Sequence, residues 1–220
     1  MDTSGNGEPD AGRQGEGQGS DAEHKVRMQA LKRSQDKAVK QRQIRRGIVV
    51  VNDGDGKGKS TAAFGMAIRA AGHGQRVGIV QFIKGTWKTG EKAALARFPE
   101  IDHVVAGEGF TWETQDRARD IAAAAKGLAA ARRMVDAARG DDPEYSLIIL
   151  DEINIALRYE YLAVAEVVEL LANKPEALSI VVTGRDARQE VIDAADTVTR
   201  MECVKHAYDA GIRARRGVDF

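Results

Sequence analysis

The residues with the clearest capacity for chemistry lie in one short run, Asn52-Asp53-Gly54-Asp55-Gly56-Lys57-Gly58-Lys59-Ser60-Thr61. Glycines at 54, 56 and 58 let backbone N–H groups converge on phosphate oxygens, where a side chain at each position would block the approach. Lys59 supplies a cation for a phosphate, and Ser60 supplies a hydroxyl for Mg²⁺. The apolar run Val49-Val50-Val51 precedes the glycines, and a helix-forming stretch over 61–71 follows them and stops at Gly72. Strand, glycine loop and helix in that order make a phosphate-binding P-loop, with the helix N-terminus adding its partial positive charge. The strict pattern G-x-x-x-x-G-K-[ST] puts its first glycine at Asp53, and here the glycine comes one residue later. The pose of a bound nucleotide therefore need not be the usual one. A glycine turn that merely joins strand to helix is the plainer alternative, but Gly-Lys-Ser in that place has no packing rationale.

A second group of chemical residues is Asp151-Glu152, into which the apolar segment 146–150 empties. Paired acids at the carboxyl end of a neighbouring parallel strand stand within reach of the Mg²⁺ of a P-loop. Thr183-Gly184-Arg185 ends another apolar segment, which makes Arg185 a phosphate clamp or, alternatively, a surface ion-pair partner. Phe110 and Trp112 lie two apart in a glycine-bordered loop of a chain that is 5% aromatic. They read either as plugs for the core or as a flat apolar platform for a planar ligand.

Stepping outward from these residues, the pattern alternates strand and helix. Strands are expected over 76–83, 101–105, 146–150, 179–182 and 197–204. Helices are expected over 91–98, 114–139 with Thr114 as N-cap, 162–171 and 189–195. The fold class that follows is α/β, a doubly wound, mostly parallel sheet in three layers with a basic helical arm before it. Residues 1–22 are rich in Gly, Asp, Gln and Ser and read as a disordered leader. Residues 23–46 are basic and helical but carry too few periodic apolar residues to stand alone in water. They read either as a solvated arm or as a lid that brings cations to an anionic ligand, and 47–220 form the P-loop domain.

Composition excludes several classes of function. Lys and Arg number 33 against 33 Asp and Glu, so the whole-chain charge gives no argument for a nucleic-acid or membrane partner. No apolar run reaches the length of a membrane span and no signal peptide is apparent, so a cytoplasmic location is expected. Cys203 is the one cysteine and sits in an alternating apolar stretch, where a core thiol is expected.

Several motifs follow one another here in a recognisable order: Asp55-Gly56-Lys57-Gly58-Lys59-Ser60-Thr61-Ala62-Ala63-Phe64-Gly65, Val80-Gln81-Phe82-Ile83-Lys84-Gly85, Gly109-Phe110-Thr111-Trp112-Glu113-Thr114-Gln115, Leu150-Asp151-Glu152, Val182-Thr183-Gly184-Arg185 and Lys205-His206-Ala207-Tyr208-Asp209-Ala210-Gly211. From about residue 23 to 220 the chain resembles the P-loop type ATP:cob(I)alamin or cob(I)yrinic acid a,c-diamide adenosyltransferases of the CobO/BtuR type. The resemblance implies a P-loop NTPase-like (RecA-like) fold and transfer of the 5′-deoxyadenosyl group of ATP to the Co(I) of a corrinoid, with triphosphate released. It also implies Mg²⁺ as cofactor, an electron donor such as a reduced flavoprotein, and a homodimer whose basic arm folds over the active site. Asn154 in Asp-Glu-Ile-Asn-Ile-Ala-Leu is similar to the branch associated with the a,c-diamide.

Residue roles carry over by motif. Gly54, Asp55, Gly56, Lys57, Gly58, Lys59, Ser60, Thr61 and Arg185 would bind ATP phosphates. Ser60, Asp151 and Glu152 would hold Mg²⁺. Phe110 and Trp112 would pack on the lower face of the corrin. Lys59, Glu152, Phe110 and Trp112 are then the catalytic set. The rival reading is a P-loop ATPase in which Glu152 activates water.

Overall fold

In the computed structural model, residues 21–83, 89–106 and 116–219 are described. The chain divides into two units, 1–44 and 45–220. In the first unit lies α1 (Asp21–Lys40), none of whose residues is buried. Val26, Met28, Leu31 and Val39 stand between 48% and 65% exposed along it. Acidic Asp21 and Glu23 in its first turn and basic Lys37 and Lys40 in its last suit the helix dipole, so charge placement supports this helix and no apolar stripe does.

The second unit is built on six parallel strands: β1 (Val49–Asp53), β2 (Val77–Gln81), β3 (Ile101–Val105), β4 (Leu147–Asp151), β5 (Ser179–Thr183) and β6 (Thr197–Arg200). They lie side by side in the order β3-β2-β4-β5-β1-β6. Among the described residues its α-helices are α2 (Lys59–Ala71), α3 (Gly90–Leu95), α4 (Arg117–Ala137), α5 (Ile153–Arg158), α6 (Val164–Ala172) and α7 (Gln189–Asp193). Ala63, Phe64, Ala67 and Ala71 of α2 and Leu95 of α3 pack with Val77, Ile79, Ile149 and Val181 on one face. Leu128, Ala131, Met134 and Val135 of α4, with Val167, Leu171 and Val191 of the following helices, pack with Val80, Ile148, Leu150, Ile180 and Val182 on the other. Alternate residues of each central strand thus feed opposite cores, which is why those strands read as unbroken apolar runs.

Connections that move toward β3 carry their helices on the α2 face, and those that move back toward β6 carry them on the α4 face. Right-handed crossovers demand that change of face when the direction reverses. The three-layer, doubly wound α/β expectation holds, and every strand pairing is parallel.

Four expectations are corrected. β4, which ends in the paired acids, is not the neighbour of β1, because β5 pairs with both. β6 ends at Arg200 rather than 204, and all four of its residues are exposed. Cys203 is accordingly exposed and not a core thiol. An edge strand pairs on one side, so alternation in its sequence does not guarantee burial. The N-cap of α4 is Asp116, whose carboxylate accepts from Arg119 N–H at 3.1 Å, and Thr114 lies outside the described residues. The short helix α5, directly after Asp151-Glu152, has no counterpart in the sequence reading.

Candidate functional site

At the carboxyl end of β1 the chain turns through Gly54 to Gly58 and enters α2, which no side chain caps. The loop geometry depends on the segment after β6 as much as on any ligand. Gly56 N–H donates to Met201 O at 2.7 Å, and Met201 N–H donates to Asp53 O at 2.8 Å. A Cβ at Gly54, where φ is +95°, would lie 2.4 Å from Met201 O, and one at Gly56 would lie 2.6 Å from Glu202 O. These two glycines are required by close backbone packing whether or not phosphate is bound. Asp53, 3% exposed, accepts from Ala187 N–H at 3.2 Å and from Arg200 Nε at 3.4 Å. The acid at the position of the missing glycine therefore fastens the start of the loop to β6 and to the turn after β5.

Lys59 is 7% exposed and donates from Nζ to Gly54 O and Gly56 O, both at 2.7 Å. Its carbonyl accepts from Asn52 Nδ2 at 3.3 Å. The ammonium is thus held over the loop, with the loop's own carbonyls in the part that phosphate oxygens can take. Asp55, Gly56, Lys57, Gly58, Lys59, Ser60 and Thr61 line a cleft of about 250 Å³ together with Glu91, Glu152, Arg185, Val218 and Asp219. A larger concavity of about 710 Å³ shares Asp55 with it and runs along Asp53, Gly54, Arg188, Arg200 and Met201.

Across the sheet ends runs a chain of polar contacts that places Glu152. Gln81 Nε2 donates to Asp151 Oδ2 at 2.9 Å, and Thr183 Oγ1 donates to Asp151 Oδ1 at 2.8 Å. The Glu152 N–H in turn donates to Thr183 Oγ1 at 2.9 Å. Asp151 and Thr183 are each 0% exposed, so these bonds form away from water, where a missing partner is costly. Glu152 adopts φ +59°, a left-handed conformation that a glutamate rarely takes. β5 stands between β1 and β4, and its terminal Thr183 is what couples the acids of β4 to the sheet beside the P-loop.

Asn154 is wholly buried and donates from Nδ2 to Gly184 O at 3.1 Å, while its Oδ1 has no hydrogen-bond partner among the described residues. Gly184 has φ +128°, and a Cβ there would lie 2.8 Å from Asn154 Cβ. Asn154 is a strut beneath the Thr183-Gly184-Arg185 turn. Arg185 is exposed at the cleft rim, with Nε 3.7 Å from Asp55 Oδ1.

The structure thus gathers Asp55, Lys57, Lys59, Ser60, Thr61, Glu152 and Arg185 around one cleft, with Gly56 and Gly58 in its wall. Gly54 belongs to the same loop but faces the larger concavity. Asp151 stands behind the cleft with both carboxylate oxygens engaged. Phe110 and Trp112 lie outside the described residues. Sequence reasoning did not assign roles to Gln81, Thr183, Asp53 or Asp219. A signal for the first two was present: Val-Gly-Ile-Val-Gln and Ser-Ile-Val-Val-Thr are apolar strands that end in one polar residue.

Ser60 and Glu152 offer one hydroxyl and one carboxylate to the same cleft, a donor set that suits Mg²⁺, which completes its shell with phosphate oxygens and water. Among the described residues no cluster of three His, Cys, Asp or Glu could hold a metal. No described helix is long and apolar enough to cross a membrane.

Residues 45–220 match the family model described as ATP:corrinoid adenosyltransferase BtuR/CobO/CobP. A corrinoid adenosyltransferase of Pseudomonas aeruginosa is 49% identical over 201 residues, covering 91% of this chain and 97% of that protein. A corrinoid adenosyltransferase of Escherichia coli K12 is 42% identical, and the corrinoid adenosyltransferase CobA of Salmonella typhimurium is 43% identical. Both alignments run over 201 residues and cover 91% of this chain and 100% of the relative.

Proposed function

The chain belongs to the ATP:corrinoid adenosyltransferase family and is a transferase, and within that family we propose that it transfers the 5′-deoxyadenosyl group of ATP to the Co(I) of cob(I)yrinic acid a,c-diamide or cob(I)alamin, releasing triphosphate. The observation that supports this reading most is the cleft itself, where Lys59, the first turn of α2 and Glu152 converge. Co(I) is the nucleophile at C5′, so no general base is needed. The new cobalt–carbon bond takes the nucleophile's electron pair, and the breaking C5′–O bond leaves its pair on the triphosphate. What the protein must supply is alignment of C5′ and stabilisation of charge on the leaving group.

Lys59 and the amides of Lys57 to Thr61 are the groups we assign to the phosphates, with the Lys57 side chain and Arg185 at the rim; the Gly56 amide is engaged by Met201 O. Accepting phosphate there requires Lys59 Nζ to exchange its bonds to Gly54 O and Gly56 O for phosphate oxygens. Ser60 and Glu152 would hold Mg²⁺, and Asp151, engaged by Gln81 and Thr183, would fix the backbone from which Glu152 projects. Bound there, the ion would neutralise charge on the leaving triphosphate. Hydrolysis with Glu152 as base is not favoured by the relatives, which are named adenosyltransferases.

Phe110 and Trp112 we assign to the lower face of the corrin, where they would displace the axial ligand, so that cobalt becomes four-coordinate and Co(I) comes within reach of a reduced flavoprotein. A homodimer, closure of the basic arm over the site and a cytoplasmic location complete the proposal. Phosphorus NMR of ATP incubated with chemically reduced corrinoid tests it. Triphosphate is expected, with ATP alone nearly inert, and corrinoid-independent release of ADP and orthophosphate at ordinary ATPase rates would overturn it.

A further inference from the structure

Every described cation lining the phosphate cleft is already held by an oxygen of the chain itself. Lys59 is held by two loop carbonyls. Arg185 pairs with Asp55, donating also from Nη2 to Asp55 O at 3.4 Å. Lys57 pairs with a residue far along the sequence, its Nζ 2.7 Å from Asp219 Oδ1. Asp219 and its neighbour Val218 line the same cleft as Lys59, Ser60 and Glu152.

Asp219 is built into that place. Its Oδ2 accepts from Arg215 N–H at 2.8 Å, and its own N–H donates to Arg215 O at 2.8 Å, closing a turn of five residues. The side chain is 22% exposed against 60% for Lys57, so the acid is the better-seated partner. The bonds from Lys57 and from Arg215 N–H hold its carboxyl below the usual carboxylate range, which favours the anion. A fixed anion in a cleft that must receive a polyanion opposes that ligand twice, by occupying Lys57 and by direct repulsion.

We propose that Asp219 is an intramolecular counter-ion that competes with triphosphate for Lys57 and so loosens the grip of the cleft on its polyanionic ligand. The inference rests on the reading of triphosphate as the leaving group. Free triphosphate has one more ionisable oxygen than the same group esterified in ATP, so a cleft designed for ATP holds its product at least as well. Binding energy common to substrate and product does nothing for the chemical step and slows release. A carboxylate tethered beside Lys57 can re-pair with it as the triphosphate departs.

Calorimetric titration of inorganic triphosphate with Mg²⁺ into the full chain tests this. A half-exposed ion pair is a weak one, so Asp219→Asn is expected to tighten triphosphate binding by about threefold with an unchanged melting temperature. Lys57→Met should weaken binding, and in that background Asp219→Asn should have a smaller effect, since only the direct repulsion remains to be removed. Unchanged or weaker binding by Asp219→Asn overturns the inference, as does an effect that is undiminished without Lys57. If the wild-type chain binds no triphosphate at all, the reading of the site falls and the inference with it. Wild-type binding without a response to Asp219→Asn removes the inference and leaves that reading standing.

Discussion

Two cationic helices, α1 and α2, owe their structure to different forces. α2 buries Lys59, Ala63, Phe64, Ala67, Ala70 and Ala71 among the 13 residues of its length, and its first turn is fixed by the core beneath it. α1 buries nothing in 20 residues and is helical through propensity and end charges. A cation placed by a core has a fixed address, as Lys59 has over Gly54 O and Gly56 O. Cations on a helix without a buried face have no such fixed address within their own unit.

The comparison is most directly broken at Lys59. Lys59→Ala should lower corrinoid-dependent turnover by about a hundredfold or more, the scale of losing a preorganised charge stabiliser, and Glu152→Gln by a similar amount. Circular dichroism should stay native in both, and full activity from either variant would remove that residue from the mechanism.

Thr183→Val tests whether the precision at α2 extends to the strand ends. It strips the acceptor from Glu152 N–H and the donor from Asp151 Oδ1, both in the interior. Stability should fall by about 2 kcal/mol and turnover by about tenfold. Thr183→Ser should restore both, and a Val variant as active as wild type would show that Glu152 needs no such support.

Removal of residues 1–44 sharpens the comparison from the other side. The melting temperature should hold, since α1 contributes no buried residue, and corrinoid-dependent turnover should fall several-fold further than ATP affinity. Equal loss in ATP binding would place the arm's contribution at the nucleotide instead.

The smallest effect is expected just beyond the arm. Arg46 forms an ion pair with Asp196, which also accepts from Val49 N–H at 2.9 Å. The bond from Arg46 first, and that from Val49 N–H second, pull the Asp196 carboxyl down to about 2. Its folded value lies below its unfolded one. The pair therefore contributes stability above the unfolded value, near 4, and loses it as pH falls toward 2. Melting curves across that window should drop more steeply for wild type than for Asp196→Asn. Parallel curves would assign Arg46 no role in tying β1 to β6.

How much of this was legible in the sequence differs between the two helices and their surroundings. Val49-Val50-Val51 and the glycine loop carried the P-loop, and Leu150-Asp151-Glu152 and Val182-Thr183-Gly184-Arg185 carried the two strand ends beside it, because buried parallel strands are written as apolar runs and their exits as polar residues. β3 was readable to the residue, over 101–105. The alternation over 197–204 misled, since period-two patterning records a strand's two faces and says nothing of whether a helix covers either. Tertiary structure alone decided that β5 separates β1 from β4, which gives Thr183 its place between the two acids and makes a β-strand threonine part of the site. It alone decided that Gly54 and Gly56 answer to Met201 and Glu202, and that Asp219 meets Lys57 across more than 160 positions of chain. Local sequence fixes backbone preference and charge, whereas pairing order and long-range contact follow from how the whole sheet closes on its two cores.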